Sequence, residues 1–320
     1  VKIKILLITN KTDITCDFIV KHLVSRKLSF YRLNTEEIGK SLQICFNVAD
    51  SKYTLVDNYK KISIDLLSVK SVYFRRPEIN NEFTDLTPGE RNFVKSELIF
   101  TLEGLYKILD KAYWINNVQA IRNAENKIFQ LLLAKEIGFD IPNSIISNIP
   151  SEVHAFYKQN NDSCIIKPIK SGLVEGVEEE GVIFTNKVHI NDRNIDRIKS
   201  CPTYLQNLIP KRGDVRVTIV GNIIFAALIH SQESAESQID WRKSPVPLKH
   251  TRVELPKEIN QKCLQLVQKL GLVFAAIDFI LDKNNNYIFL EINPNGQWAW
   301  VEKQLNFKIS DEITNLLDKN

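Results

Sequence analysis

Apolar and polar positions along the chain follow two rhythms. The stretch "IKILLIT" near the start is a short, continuous, β-branched apolar run, the pattern of a strand buried on both faces. In "TCDFIVKHLVSRKL" the spacing turns helical, with Phe18, Ile19, His22 and Leu23 forming a stripe. "SFYRLN" predicts a second strand, and "SVYFRRPE" another after a more polar excursion. This strand–helix–strand order predicts a small parallel α/β domain. Its polar strand ends, Asn34 and Arg75–Arg76, fall at carboxyl ends, where open α/β sheets place ligands.

A long amphipathic helix, "PGERNFVKSELIFTLEGLYKILD", opens with a proline and an acid. A second helix is expected from about Gln119 to Ile137, ended by Gly138 with Pro142 beyond. The first domain boundary then lies near Tyr113 to Asn117. Next come a strand "SIISN", a helix "SEVHAFYKQN" and a strand "SCIIKPI". The stretch "KSGLVEGVEEEGVIFTN" combines three glycines with four glutamates and predicts a mobile lid. "TYLQNLIPKRGDVRVTIVGNIIFAALIH" gives strand, turn, strand, Gly-Asn hairpin, strand. The polar run "SQESAESQIDWRKSPVP" resists regular assignment. A helix, "PKEINQKCLQLVQKLG", leads into a last hairpin, "VFAAIDFIL" and "YIFLEIN" joined by "DKNNN". The expected division is residues 1–115, 116–202 and 203–320.

Composition excludes more than it assigns. Of 320 residues, 44% are apolar and 25% charged, which is ordinary for a globular protein. Forty-two basic against 38 acidic residues give a formal +4 spread along the chain, and no patch combines clustered basic and aromatic residues. A nucleic-acid partner is therefore not expected. No run approaches the ~20 apolar residues that cross a bilayer, and no cleavage site follows the first strand. A cytoplasmic protein without a membrane partner is the expectation. Cys16, Cys45, Cys164, Cys201 and Cys263 lie far apart, without a C-x-x-C pair, which is neither a zinc pattern nor a disulfide framework.

The chemistry concentrates at the end of the last strand. Side chains two apart in a strand share a face, so Glu291 and Asn293 present two oxygen donors together. Pairing Leu281 with Ile288 would set Asp278 opposite Glu291, where two carboxylates repel by up to ~1 kcal/mol. A divalent cation removes that conflict. Hard oxygen donors without sulfur or imidazole favour Mg²⁺, which, when bound by few protein ligands, carries phosphates too. Lys167 ends the apolar strand "CIIKP", where an ammonium wants an anion. Lys127 sits on the helix "AENKIFQLLLAK". The extended "YLQNLIP" could meet an adenine edge through the Gln206 carbonyl and the Leu208 amide. Arg216, between β-branched neighbours, seeks either Asp214 or a phosphate. Neither a P-loop nor a dinucleotide-binding glycine motif is present.

Taken in order, Lys127, "IIKP", "LQNLIP…DVRV" and a hairpin with Asp278 and "EINPNGQ" resemble the ATP-grasp ligases over roughly residues 115–300. Within them, "YFRRPE", "DWRK" and "EINPNGQWAWVE" resemble the graspetide synthetases, microviridin-type macrocyclases of ribosomally made peptides. The resemblance implies an α/β (α+β) protein, an ATP-grasp fold with an N-terminal pre-ATP-grasp α/β domain. It makes Lys127 and Lys167 phosphate lysines, and Gln206, Asn207, Leu208 and Ile209 the adenine hinge. Asp278, Glu291 and Asn293 become Mg²⁺ ligands, with Asn293 also touching ATP, and Arg216 an acyl-phosphate clamp. The acidic lid departs from the glycine-rich loop common in the superfamily.

The implied reaction turns Asp or Glu side chains of a precursor peptide into acyl phosphates with ATP. Thr, Ser or Lys side chains of the same peptide then close ester or amide rings. Arg242 of "DWRK" is the expected holder of the substrate carboxylate, Arg75 and Arg76 assist, and His230 is a candidate base. The polar segment 185–200, tested first at Asp192 and Arg193, is either a dock for the leader of the peptide or a solvated surface. A homodimer is a family expectation. The rivals are an ATP-grasp ligase joining separate molecules, such as a glutamate-tail ligase, and a nucleotide-binding module without turnover.

Overall fold

The computed structural model describes residues 1–79, 83–170, 172–175, 180–191 and 193–319. Contacts divide the chain into two compact units, and neither is contiguous in sequence. One comprises Val1–Ile121, Gly271–Phe274 and Asn295–Asn320; the other comprises Arg122–Leu270 and Ala275–Pro294.

In the first unit, β1 (Ile5–Thr9) and α1 (Ile14–Ser25) lead to β2 (Phe30–Asn34). A three-stranded antiparallel meander follows, β3 (Leu42–Asn47), β4 (Lys52–Asp57) and β5 (Ile62–Asp65). It occupies the polar excursion, where half-exposed alternation hides strands from a search for buried runs. Then come β6 (Ser71–Phe74), α2 (Pro88–Ile108), β7 (Tyr113–Ile115) and the start of α3 (Val118–Ala124), the unit's first segment ending at Ile121. The main sheet is parallel throughout, in the order β2-β1-β6-β7. All five residues of β1 are buried, as a strand covered on both faces requires. Thr87 caps α2 with Glu90 in a reciprocal capping box. The core gathers Leu6, Ile8, Leu33, Leu55, Val72 and Leu105. Two C-terminal helices, Ala299–Leu305 and Ile309–Lys319, belong to this unit, with Trp298 fully buried edge-on to Phe18 at 6.0 Å.

The second unit opens with α4 (Lys127–Ile137), β8 (Ser144–Ser147), α5 (Pro150–Gln159) and β9 (Cys164–Lys167). The expected single helix from Gln119 to Ile137 is two, because the Asn126 side chain accepts from the Phe129 amide and starts α4 afresh. Gly138, at φ 91°, ends α4 in the left-handed conformation. A small hairpin, β10 (Leu173–Glu175) and β11 (Glu180–Val182), lies in the glycine- and glutamate-bearing stretch. After β12 (Asn186–Val188), β13 (Thr203–Asn207) completes an antiparallel sheet ordered β12-β9-β13-β8.

A second sheet carries β14 (Lys211–Val220), β15 (Ile223–Ile229), β16 (His250–Arg252), β17 (Phe274–Asp282) and β18 (Tyr287–Asn293), ordered β16-β15-β14-β17-β18, with β14–β15, β15–β16 and β17–β18 antiparallel. Helix α6 (Lys257–Lys269) precedes β17. Within the polar run 231–247, Trp241–Lys243 form one short turn of helix. Gly213 is required by space: a Cβ there would stand 2.6 Å from the Ile229 carbonyl oxygen.

Candidate active site

The last hairpin departs from the expected register and still delivers the expected pair. Leu281 pairs with Tyr287, Ile280 with Ile288 and Phe279 with Phe289. A β-bulge beyond Phe279 then shifts the ladder by one residue at Leu290, and Asp278 faces Glu291. Asn293 pairs with Ala276 two positions further along β18.

These residues line a cavity of about 510 Å³ within the second unit, together with Lys127, Lys167, Gln206, Asn207, Arg216 and Arg242. Lys170, Lys211, Asp214 and Asp240 also line it. Acid and base are matched there almost one to one. Lys127 Nζ lies 3.2 Å from Glu291 Oε2 and donates to the Pro168 carbonyl at 3.1 Å. Arg216 Nη1 donates to Asp278 Oδ2 at 2.5 Å. Lys211 Nζ reaches both Asp214 oxygens at 2.8 and 2.7 Å, and Ser231 Oγ donates to the same carboxylate. Arg242 grips Asp240 with Nε at 2.8 Å and Nη2 at 2.7 Å, a bidentate fork.

Lys167 stands apart. Among the described residues no carboxylate lies within ion-pair distance of it, and burial pulls its ammonium down to about 8, more than nearby Glu291 restores. An ammonium so placed is stabilised by an incoming anion. Burial likewise pushes Asp278 up to about 6 against the pull of Arg216. Glu291 goes the other way: burial raises it, but Lys127, Lys167 and Arg242 together hold it below the usual carboxylate value. The hydrogen bonds to Asp240 keep Arg242 firmly charged.

A hard divalent cation fits this donor set. Two carboxylates face each other in register with an amide oxygen alongside, and cations already answer their charge. Among the described residues no cluster of three or more His, Cys, Asp or Glu exists, so a metal here takes further ligands from a bound nucleotide or water.

The hinge differs in detail from its expectation. The Leu208 amide donates to the Ser163 carbonyl at 2.9 Å, so it is not open to an adenine edge in this arrangement. Leu208 and Ile209 are not among the lining residues. Instead the side-chain oxygens of Gln206 and Asn207 are buried without hydrogen-bond partners beside the cavity.

Several expected substrate residues lie elsewhere. Arg75 is buried in the first unit, 3.2 Å from Asp13, and donates to the Asn295 and Gly296 carbonyls at 3.1 Å each. It is committed to structure rather than open to a ligand. Arg76 is exposed in the same unit at φ 46°. His230 does not line the cavity; its ring meets Thr251 Oγ1 at 3.1 Å. In segment 185–200, β12 forms a sheet edge and Ile195–Ser200 a short 3₁₀ helix. Arg193 is exposed there, while Asp192 lies outside the described residues.

Among the residues that pattern reading passed over, Gln130, Lys211 and Asp240 are part of the cavity. Gln130 had a signal, since it sits one turn after Lys127 on an otherwise apolar helix face. Asp240 had a weaker one, two residues before Arg242.

Residues 4–122 match the family described as the MvdD pre-ATP grasp domain, and residues 124–317 match the RimK-like ATP-grasp domain. The chain belongs to the RimK-like ATP-grasp family. A RiPP-associated ATP-grasp ligase of Chryseobacterium gregarium, solved with ADP and a leader and core peptide, superposes on this ATP-grasp chain with a TM-score of 0.90 at 29% identity, covering 99% of this chain and 97% of that one. The macrocyclase MdnB of Microcystis aeruginosa MRC is 30% identical at a TM-score of 0.81, covering 98% and 99%. A probable alpha-L-glutamate ligase of Haemophilus influenzae is 24% identical over 212 residues, 65% of this chain and 67% of the relative.

Proposed function

We propose that this protein is an ATP-dependent peptide macrocyclase. The observation that carries the reading is the charge pattern of the cavity. Four acids are each matched by a base, while half-buried Lys167 is left for an added anion, beside a strand end offering two carboxylates and an amide. A triphosphate with a divalent cation suits that pattern. The likeness to a peptide-bound ATP-grasp ligase and to a macrocyclase supports a peptide as the second substrate.

Lys127 and Lys167 hold the nucleotide phosphates, and Gln206 and Asn207 approach the base. Asp278, Glu291 and Asn293 would hold Mg²⁺, which would supply charge neutralisation to the reaction. Arg242, fixed by Asp240, takes a side-chain carboxylate of the precursor peptide. That carboxylate attacks the γ-phosphorus, the bond to the β-bridging oxygen breaks, and ADP leaves an acyl phosphate behind. A Thr or Ser hydroxyl, or a Lys amine, of the same peptide then attacks the acyl carbon. Phosphate departs with the proton, and a lactone or lactam remains. Arg216 offsets charge on the phosphate throughout. No covalent enzyme nucleophile is needed; positioning and exclusion of water do the work.

The leader of the peptide docks on segment 185–200, with Asp192 and Arg193 as first residues to vary, and the enzyme acts as a cytoplasmic homodimer. The test is incubation with ATP, Mg²⁺ and precursor peptides rich in Thr and Asp/Glu, read by mass spectrometry. Loss of one water per ring from a single peptide is expected. Addition of a free amino acid to the peptide instead would replace this reading with the glutamate-ligase one.

A further inference from the structure

Gln130 is 3% exposed, on the first turns of α4, and its side-chain amide is bonded to main chain. Its Nε2 donates to the Ala124 carbonyl at 2.6 Å and to the Ile292 carbonyl at 2.8 Å, while its Oε1 accepts from the Ile292 amide at 3.2 Å. Ile292 lies between Glu291 and Asn293 on β18, whose other edge is taken by β17. Farther back along the free edge, main chain does the same job, with the Phe289 amide donating to the Asp140 carbonyl at 2.8 Å. At Ile292 no main chain is available, and the Gln130 amide substitutes for the missing strand.

The consequence follows from strand geometry. Side chains alternate along a strand, so Glu291 and Asn293, on either side of Ile292, share the face opposite to the Ile292 side chain, while the Ile292 main-chain groups point along the sheet plane to Gln130. Fixing the peptide groups of Ile292 fixes the pitch of both donors. Lys127, one turn earlier on the same helix, holds the Glu291 carboxylate from the side-chain end. Helix α4 therefore grips the metal strand twice, once by charge and once by main chain.

We infer that Gln130 is a positioning residue, setting Glu291 and Asn293 for a divalent cation without touching it. This rests on the nucleotide–metal reading of the cavity. Groups that orient ligands in this way typically change metal affinity about ten- to hundredfold when removed.

The test is calorimetry of ADP binding with and without Mg²⁺ on the full chain. The wild type is expected to bind ADP more tightly with the metal. Gln130→Met, of similar length but without polar atoms, is expected to lose about tenfold or more of that tightening, with metal-free ADP affinity within about twofold. Gln130→Glu, which keeps the size and can accept from the Ile292 amide, is expected to fold and to lose tightening in the same direction. Leu133→Ala, a buried apolar position on the same helix that cannot hydrogen-bond Ile292, serves as the control: lower Tm, full tightening. Full metal tightening in both Gln130 variants, or its equal loss in Leu133→Ala, overturns the inference while leaving the site reading intact. Absence of tightening in the wild type overturns the site reading, and this inference with it.

Discussion

Asp278 and Glu291 face each other across the last hairpin, yet their carboxyl groups titrate in opposite directions: Asp278 is pushed up to about 6 and Glu291 is held low. The difference lies in their neighbours. Glu291 has Lys127 in contact and Lys167 and Arg242 nearby, while Asp278 has Arg216 against a heavier burden of burial. The pair therefore offers one firmly ionised donor and one that ionises fully when a cation arrives. Asp278→Asn keeps the shape and removes that charge. Its expected effect is loss of metal-stimulated turnover with metal-free ADP binding retained, as read by phosphate release and calorimetry.

Lys127 answers Glu291 and points at the place proposed for phosphates. Lys127→Met deletes a charge-assisted contact, worth ~1.5–3 kcal/mol. ADP affinity is expected to fall about ten- to hundredfold by calorimetry. An unchanged affinity would remove Lys127 from the phosphate site.

Lys167 makes a pH prediction with a definite sign. Burial lowers its value to about 8, so above that pH the empty site holds it largely neutral. A phosphate favours the charged form, so binding takes up a proton above about pH 8 and none well below it. Calorimetry of ADP in two buffers of different ionisation enthalpy should report uptake at about pH 9 that is much smaller at about pH 7.5, above the range where the ADP phosphate itself titrates. Lys167→Arg, charged at both pH values, should abolish the uptake.

How far such chemistry can be read from a sequence depends on where a residue's partner lies. The opposition of Asp278 and Glu291 was legible because strand pairing has a period of two. The bulge at Leu290 was not, since nothing in "YIFLEIN" marks it. Lys167 was legible as a charge ending an apolar strand. Gln130 and Asp240 were obscure for a common reason: each bonds the main chain of a distant segment, Ile292 and Thr185, and main-chain groups leave no trace in residue identity. His230 and Arg75 mark the opposite limit. Each is a chemistry-bearing residue near a strand end, and only tertiary packing distinguishes a buried tie from a ligand contact.

Arg75 yields a stability prediction. Its guanidinium and the Asp13 carboxylate are both buried, and Asp13 also caps α1 by accepting from the Thr15 amide. Arg75→Met leaves the carboxylate buried without its cation, at a cost of ~3–5 kcal/mol. Urea unfolding should show that loss as a lower midpoint. The double variant Arg75→Met/Asp13→Asn should recover part of it, because the stranded charge is gone.

Asp240 separates substrate recognition from nucleotide binding. Its carboxylate accepts Nε, Nη2 and the amide of Arg242, and the Thr185 amide at 3.3 Å, so one buried group aims the guanidinium and ties the chain just past β11. Hydrogen bonds from the charged fork and the helix-turn amide hold the Asp240 carboxyl below its ordinary value although burial opposes them. Asp240→Asn keeps the volume but replaces one acceptor oxygen with a donor that faces a guanidinium. Arg242 then loses its fixed direction while retaining its charge. KM for the precursor peptide is expected to rise about five- to tenfold, matching ~1–1.5 kcal/mol for a weakened pair, with ADP affinity unchanged. A fall in ADP affinity with KM for the peptide unaltered would instead assign this pair to the nucleotide.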